Sequence, residues 1–248
     1  VNTPTTLDAF LSGKIHLHQP AKGFRGGSDG VLLAASIPAQ GDELILDVGC
    51  GVGTAMLCLA SRVKNCKITG LELQEDLVTL GELNIQENDF PERAQILQGA
   101  IQSPPKELKL GSFHHILSNP PYFEKAHMTA SPYETKTLSH GDSESDLKAW
   151  VNFCVSMARP KGTVTFIFTS ERLPYLLALM QEKLGDIVIF PLWSKLGTPC
   201  KRVIVSGKKD SKKGCYFSPG LVLHQDSGPY TSKAQSILRD GQELNLRS

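Results

Sequence analysis

The stretch Glu43-Leu44-Ile45-Leu46-Asp47-Val48-Gly49-Cys50-Gly51-Val52-Gly53 decides the fold. Its first half is a short apolar run with a β-branched bias, the pattern of a strand buried on both faces of a parallel sheet. Its second half has glycine at alternate positions, and residues 54–62 behind it show apolar residues at helical spacing. Strand, glycine turn and helix in that order open a doubly wound α/β fold, where ligands bind at the carboxyl ends of the strands. Glycines let the backbone turn sharply and approach a ligand closely. The dinucleotide fingerprint requires Gly-x-Gly-x-x-Gly, and here the last interval, Gly51 to Gly53, is one residue short. Asp47 ahead of the first glycine would repel a pyrophosphate, which favours a ligand bearing a cationic amine or sulfonium.

Outward from this stretch, strands and helices alternate. Cys66–Leu71 reads as a second strand closed by Glu72, Leu77–Gln86 as a helix, Ala94–Leu97 as a third strand and Phe113–Leu117 as a fourth. Residues 123–143 lack periodicity and read as a long loop. Ser145–Ala158 and Glu171–Lys183 read as helices flanking a strand over Gly162–Phe168, and Asp186–Phe190 and Arg202–Gly207 as further strands. The tail from Ser218 is turn-rich. Before the central stretch, Thr6–Leu11 reads as a short turn, Lys14–Gln19 as a strand and Gly23–Gly27 as a loop. Ser28 or Asp29 is positioned to cap a helix over Val31–Ile37. The fold class is therefore α/β, a doubly wound, mostly parallel seven-stranded sheet of Rossmann-like type. Residues 1–40 read as an N-terminal extension packing on the core, and residues 41–248 as the main domain.

Composition agrees with a folded α/β chain. Of 248 residues 40% are apolar and 21% charged, which excludes a wholly disordered protein. No apolar run is long enough for a transmembrane helix, and Val1–Leu17 has no basic start followed by an apolar run, so no signal peptide is expected there. Cys50, Cys58, Cys66, Cys154, Cys200 and Cys215 form no CxxC pair and no zinc-like spacing. They read as reduced thiols of a cytoplasmic protein without a metal. Charge is uneven: residues 195–248 hold ten Lys/Arg against four Asp/Glu. Lys201-Arg202 and Lys208-Lys209-Asp210-Ser211-Lys212-Lys213 are candidate phosphate contacts for a nucleic acid, although a charge run by itself is more often a solvated loop.

Asn119-Pro120-Pro121-Tyr122 follows the fourth strand. Two prolines fix φ and remove two N–H donors, leaving carbonyls as acceptors. Asn119 adds a side-chain carbonyl in a held geometry. An exocyclic amine whose two hydrogens are accepted by the Asn119 side chain and the Pro120 carbonyl is held and pushed toward its pyramidal, nucleophilic form. Proximity and electrostatics carry such a step without a strong base. Tyr122 can stack on the ring carrying the amine.

Leu46–Gly53 resembles motif I of the class I S-adenosylmethionine-dependent methyltransferases, and Asn119–Tyr122 resembles the catalytic motif of their amino-methyltransferases. The resemblance implies that Asp47, Gly49, Cys50, Gly51 and Gly53 border the methionine part of the cofactor, that Glu72 with Leu73 meets the ribose, that Gly99 and Ala100 lie by the adenine, and that Asn119 touches the cofactor as well as the target amine. Ala100 stands where an acid is usual, which leaves a backbone group or Gln98 to make that contact. Gln19-Pro20 with Gly23-Phe24-Arg25-Gly26-Gly27-Ser28-Asp29-Gly30-Val31-Leu32-Leu33-Ala34 is similar to the N-terminal signature of bacterial transfer-RNA adenine-N6 methyltransferases of the small-methyltransferase-domain group. Phe123 and the tail Leu221–His224 with Gly228–Thr231 fit the same family. The implied activity is methyl transfer from S-adenosylmethionine, leaving S-adenosylhomocysteine, to N6 of an adenosine beside the anticodon of tRNA. The implied partner is tRNA, with no membrane and no obligate protein partner.

Several alternatives share the motifs. A release-factor glutamine methyltransferase normally carries an extra N-terminal helical domain, and only residues 1–40 precede the central stretch. A guanine-N2 rRNA enzyme and a DNA adenine enzyme rank behind it, the latter for want of a recognition region. A non-enzymatic RNA-binding module with the same fold is opposed by the intact motifs. His16, His18, His114, His115 and the loop residue His140 read as structural or surface groups, and Cys50 as a packing residue. Trp150 and Trp193 read as core anchors, and Phe24 serves equally as a cover for the ligand or a core plug.

Overall fold

The computed structural model describes residues 4–23, 25–121 and 143–248, with side chains of the last segment from 146 onward. Tyr122, Phe24, Phe123 and His140 lie outside the described residues.

The central sheet is built from β3 (Leu44–Val48), β4 (Lys67–Glu72), β5 (Ala94–Gln98), β6 (Phe113–Ser118), β7 (Ala158–Thr169), β8 (Leu184–Trp193) and β9 (Arg202–Lys209), in the order β5-β4-β3-β6-β7-β9-β8. Every pairing from β5 to β7 is parallel, and β9 alone runs antiparallel, between β7 and β8. This is the expected seven-stranded arrangement. Two two-residue strands of the tail, β10 (Tyr216–Phe217) and β11 (Leu221–Val222), extend it along β8 to nine. Strand order reverses beside β3, so the chain leaves β3 and β6 in opposite directions and opens a crevice above their carboxyl ends.

Helices cover both faces, and alternation along β3 assigns its residues to the two sides. Ile45 joins the core under α1 (Ser28–Ser36), α2 (Thr54–Arg62) and α3 (Glu75–Glu87), whereas Leu46 and Val48 join the core under α4 (Ser143–Met157) and α5 (Leu173–Gln181). Asp47 therefore faces the α1–α2 side.

Three local expectations change. Thr5–Phe10 is a strand, β1, rather than a turn. It pairs antiparallel with β2 (Ile15–Pro20) from Thr5↔Pro20 to Phe10↔Ile15. α1 begins at Ser28 itself with Gly27 at the N-cap, so neither Ser28 nor Asp29 caps it; Asp29 sits in the first turn. The tail contains a helix, α6 (Ser232–Leu238), whose start is capped by the Thr231 hydroxyl accepting the Ala234 N–H at 3.2 Å. α6 packs against α1 and contributes Ala234, Ile237 and Leu238 to the core.

The β1–β2 hairpin is fastened by α3. Asn84 and Asn88 accept the His18 and His16 backbone N–H groups and return side-chain N–H bonds to the carbonyls of the same residues. At the opposite end of the sheet from the crevice, His115 bonds Glu43 and Thr163, and the His114 ring accepts the Leu44 N–H. Burial is the main cause holding the His115 imidazole below its ordinary value, so it is a structural group.

Candidate active site

A cavity of about 310 Å³ lies over the switch point. It is lined by Asp47, Gly49, Cys50, Gly51 and Val52 from β3 and its glycine loop, by Thr54 and Ala55 at the start of α2, by residues 25–30 at the start of α1, and by Asn119 after β6. The two motifs, far apart in the chain, thus face one space because β3 and β6 are hydrogen-bonded neighbours.

The glycine loop is stitched to the end of β4. The Gly49 and Cys50 N–H groups donate to the Leu71 carbonyl at 2.8 and 3.2 Å, and the Gly51 N–H donates to Glu72 Oε2 at 2.9 Å. Glu72 Oε1 accepts from Leu73 and Gln74. Three successive loop amides are spent on β4, so the loop presents no nest for a phosphate, consistent with the spacing of its glycines. Gly49 and Gly51 have φ of 71° and 55°, where an L side chain is strained, and a Cβ on Gly51 would project into open space. Cys50 is a packing residue as expected: its Sγ lies where a Cβ on Gly70 would come within 2.5 Å, and burial drives its thiol well above its ordinary value.

Asp47 is 2% exposed, and its Oδ2 has no hydrogen-bond partner among the described residues. Burial pushes its carboxyl up to about 7; the Met56 amide opposes the shift, and the nearby Glu72 adds to it. A buried carboxylate with a free oxygen on a ligand cavity is a receptor for a cation. Asn119, half-buried, lines the same cavity from the neighbouring strand end, Pro120 is buried and Pro121 is exposed.

Glu72, Leu73, Gly99 and Ala100 do not line this cavity but continue from it along the carboxyl ends of β4 and β5. Leu73 is half exposed, the Gly99 N–H bonds the Glu72 carbonyl, and Ala100 bridges to Ser103. From β6 across β3 and β4 to β5 is three interstrand steps, about 14 Å, room for an elongated ligand rather than a compact one. Gly53 is the N-cap of α2, and a Cβ there would meet Met56 and Leu57 at 3.5 Å. Among the described residues no group of acids, histidines and cysteines could hold a metal ion.

The family model for the methyltransferase small domain matches residues 26–136, which spans both motifs. The chain is 31% identical over 208 residues to the tRNA1(Val) (adenine(37)-N6)-methyltransferase of Glaesserella parasuis, covering 83% of this chain and 84% of that one. This chain is a member of that family. It is also 26% identical over 238 residues to the enzyme of the same name from Haemophilus influenzae, covering 94% and 98% of the two chains. A solved Agrobacterium tumefaciens structure described as a predicted O-methyltransferase shares the fold, with a TM-score of 0.74 at 18% identity over 88% of this chain and 98% of that one. The protein is thus a methyltransferase with the class I architecture.

Two features of this methyltransferase were not read from its sequence. Gln19, 1% exposed, accepts the Gly26 N–H at 2.7 Å and so ties the loop before α1 to the β1–β2 hairpin. Arg25 is held by Asp8, which also takes bonds from Gln19 and Thr6. The hairpin therefore shapes one wall of the cavity. The only signal in the sequence was the uncharged amide of Gln19 at an inward position of a strand. The second feature is Trp150, whose indole abuts Gly49 and bonds Ser118.

The six candidate nucleic-acid residues do not form one surface. Lys201 precedes and Arg202 begins β9 at the crevice end, where Arg202 Nε donates to Asp29 Oδ2 at 3.3 Å. Lys208 pairs with Thr163 of β7, which is in register with His115 toward the far end of the sheet, and Lys209 Nζ donates to the Val155 and Ala158 carbonyls. Lys212 and Lys213 follow in the exposed loop there. Adjacency in sequence grouped them; the intervening strand carries them apart by about 20 Å.

Proposed function

We propose that this methyltransferase methylates the N6 amine of an adenosine beside the anticodon of a tRNA, with S-adenosylmethionine as methyl donor. The observation that carries the reading is the convergence of Asp47 and Asn119 on one cavity, a buried cation receptor and an amide acceptor at adjacent strand ends. Asp47 Oδ2 would take the ammonium of the methionine moiety, with Gly49 and Gly51 allowing close approach. Glu72 Oε2, which accepts only from Gly51 among the described residues, would keep a lone pair for a ribose hydroxyl. Leu73, Gly99 and Ala100 would border the adenine. When bound, the cofactor supplies an electrophilic methyl group on a positively charged sulfur. Asn119 and the Pro120 carbonyl would accept the two hydrogens of the target amine and orient its lone pair. Pro121 fixes the turn, and Tyr122 would stack on the base. The tRNA substrate and its position come from the relatives named above, at 26–31% identity over most of the chain.

A methyl-transfer assay with labelled S-adenosylmethionine tests this. Total tRNA, rRNA, DNA and a release factor are offered separately, and the labelled product is digested. N6-methyladenosine from tRNA is expected. Label confined to protein glutamine or rRNA guanosine would overturn the substrate while leaving the cofactor reading in place.

A further inference from the structure

We propose that the cation cluster at the far end of the sheet is a second docking surface for the substrate RNA, gripping its phosphate backbone while the target base occupies the crevice. This rests on the RNA reading above. The cluster is assembled by topology from three separate segments. Arg159 and Lys161 come from the start of β7, Lys183 from the turn into β8, and Lys208, Lys212 and Lys213 from the end of β9 and the loop beyond. Their proximity is fixed by pairing. Lys208 is in register with Thr163 and Gly185, Lys161 Nζ donates to the Asp210 carbonyl, and the Lys213 carbonyl accepts the Asp186 N–H at 2.7 Å. All but Lys208 are exposed.

The local acids do not neutralise them. Asp186 is paired with Arg247, which leaves Glu43, bonded to His115, with Glu182 and Asp210 against six cations. Fixed charge of one sign held on rigid strand ends costs free energy by self-repulsion unless a polyanion meets it. The cluster is about 20 Å from Arg202 along β9, and a duplex of that length carries on the order of ten phosphates. A tRNA thus reaches both ends of the strand, whereas a nucleoside or a loop-sized fragment reaches only the crevice. Contacts there would be to phosphate and would add affinity without choosing the base.

The test is the variant Arg159→Ala/Lys183→Ala/Lys212→Ala/Lys213→Ala, with a second variant carrying Arg at the three lysines. For the alanine variant KM for whole tRNA is expected to rise about tenfold or more at physiological salt. The slope of log affinity against log salt should fall by about three. kcat, the affinity for S-adenosylmethionine and Tm should stay near wild type, and the arginine variant should restore KM. A direct tRNA-binding titration reads the same loss without turnover. Unchanged tRNA affinity and salt slope in the alanine variant would overturn the proposal. Weaker binding to anionic vesicles with tRNA affinity intact would reassign the surface to a membrane. A wild-type enzyme that methylates tRNA while the variant binds it equally well leaves the functional reading standing. A wild-type enzyme that methylates no RNA removes that reading instead.

Discussion

Trp150 donates its indole N–H to the Ser118 hydroxyl at 3.0 Å, and the Ser118 hydroxyl donates in turn to the Val48 carbonyl at 2.7 Å. The indole ring also lies where a Cβ on Gly49 would come within 3.0 Å. One tryptophan on α4 thereby fixes the ends of both strands that flank the crevice: Val48–Gly49 on one side and the residue before Asn119 on the other.

Ser118→Ala should therefore weaken the fold and loosen the site together. The change strands the buried Val48 carbonyl and takes away an acceptor of the Trp150 indole N–H, a cost of about 1–3 kcal/mol. For a domain of this size Tm should drop by several degrees. Because Asn119 is the next residue, kcat should fall more than cofactor affinity. Thermal denaturation and a cofactor titration on the same sample check this. A variant with wild-type Tm and kcat would show that the relay does not position Asn119.

Asn119→Ala separates binding from turnover. Removing an acceptor that strengthens only as the amine becomes nucleophilic should lower kcat about a hundredfold or more, with the affinity for S-adenosylmethionine within about twofold of wild type. Asn119→Asp keeps an acceptor of the same shape and should retain more activity than the alanine. Single-turnover methylation of tRNA measures both. Near-normal turnover in the alanine variant would sink the assigned role.

The parts of the fold that were legible are those whose local pattern and tertiary environment agree. Ile45, Leu46 and Val48, and Ile116 and Leu117, are apolar and buried because both faces of the sheet are covered, so these short runs announce central strands. Thr5–Phe10 gave no such signal, since none of its residues is buried and its partner strand supplies the order. α6 is seven residues among Gly, Pro and Ser, too short for periodicity to register; its visible cue was Thr231 ahead of Ser232-Lys233-Ala234. In the site, Asp47, Gly49, Gly51 and Asn119 were singled out because they sit in two short contiguous motifs at the ends of adjacent strands. The Gln19–Gly26 clamp and the Trp150–Ser118 bond could not, because they depend on which distant elements pack together.

Gly70 illustrates a packing constraint on the loop from behind. A Cβ there would fall 2.5 Å from Cys50 Sγ and 3.1 Å from Met56 Sδ. Gly70→Ala should therefore destabilise by about 1–3 kcal/mol and weaken cofactor binding by displacing the loop. Adding Cys50→Ala removes the nearer clash and should recover part of both losses. Denaturant midpoints for the two single variants and the double variant form the cycle. Strictly additive losses would mean that Cys50 and Gly70 are not in contact as described.

Asp47 gives the site a pH dependence whose sign is fixed by its shift. Its carboxyl, ordinarily at 3.8, titrates at about 7 in the folded protein, so the folded state holds a proton that the unfolded chain has released. Stability is then greatest below the ordinary value and is lost as pH rises from about 4 to about 7, by on the order of 4 kcal/mol at most. Asp47→Asn abolishes this loss because an amide stays neutral. Tm of the cofactor-free protein should therefore fall between pH 5 and pH 8 by several degrees more in wild type than in Asp47→Asn. Taking the difference between the two proteins cancels the contributions of Glu43 and His115. Saturating S-adenosylmethionine should flatten the wild-type curve, since an ammonium beside Oδ2 stabilises the carboxylate, and should leave the Asp47→Asn curve unmoved. Parallel pH profiles for the two cofactor-free proteins would mean that Asp47 is not the buried acid the cavity geometry makes it. Flattening in both proteins would place the cationic group of the ligand elsewhere.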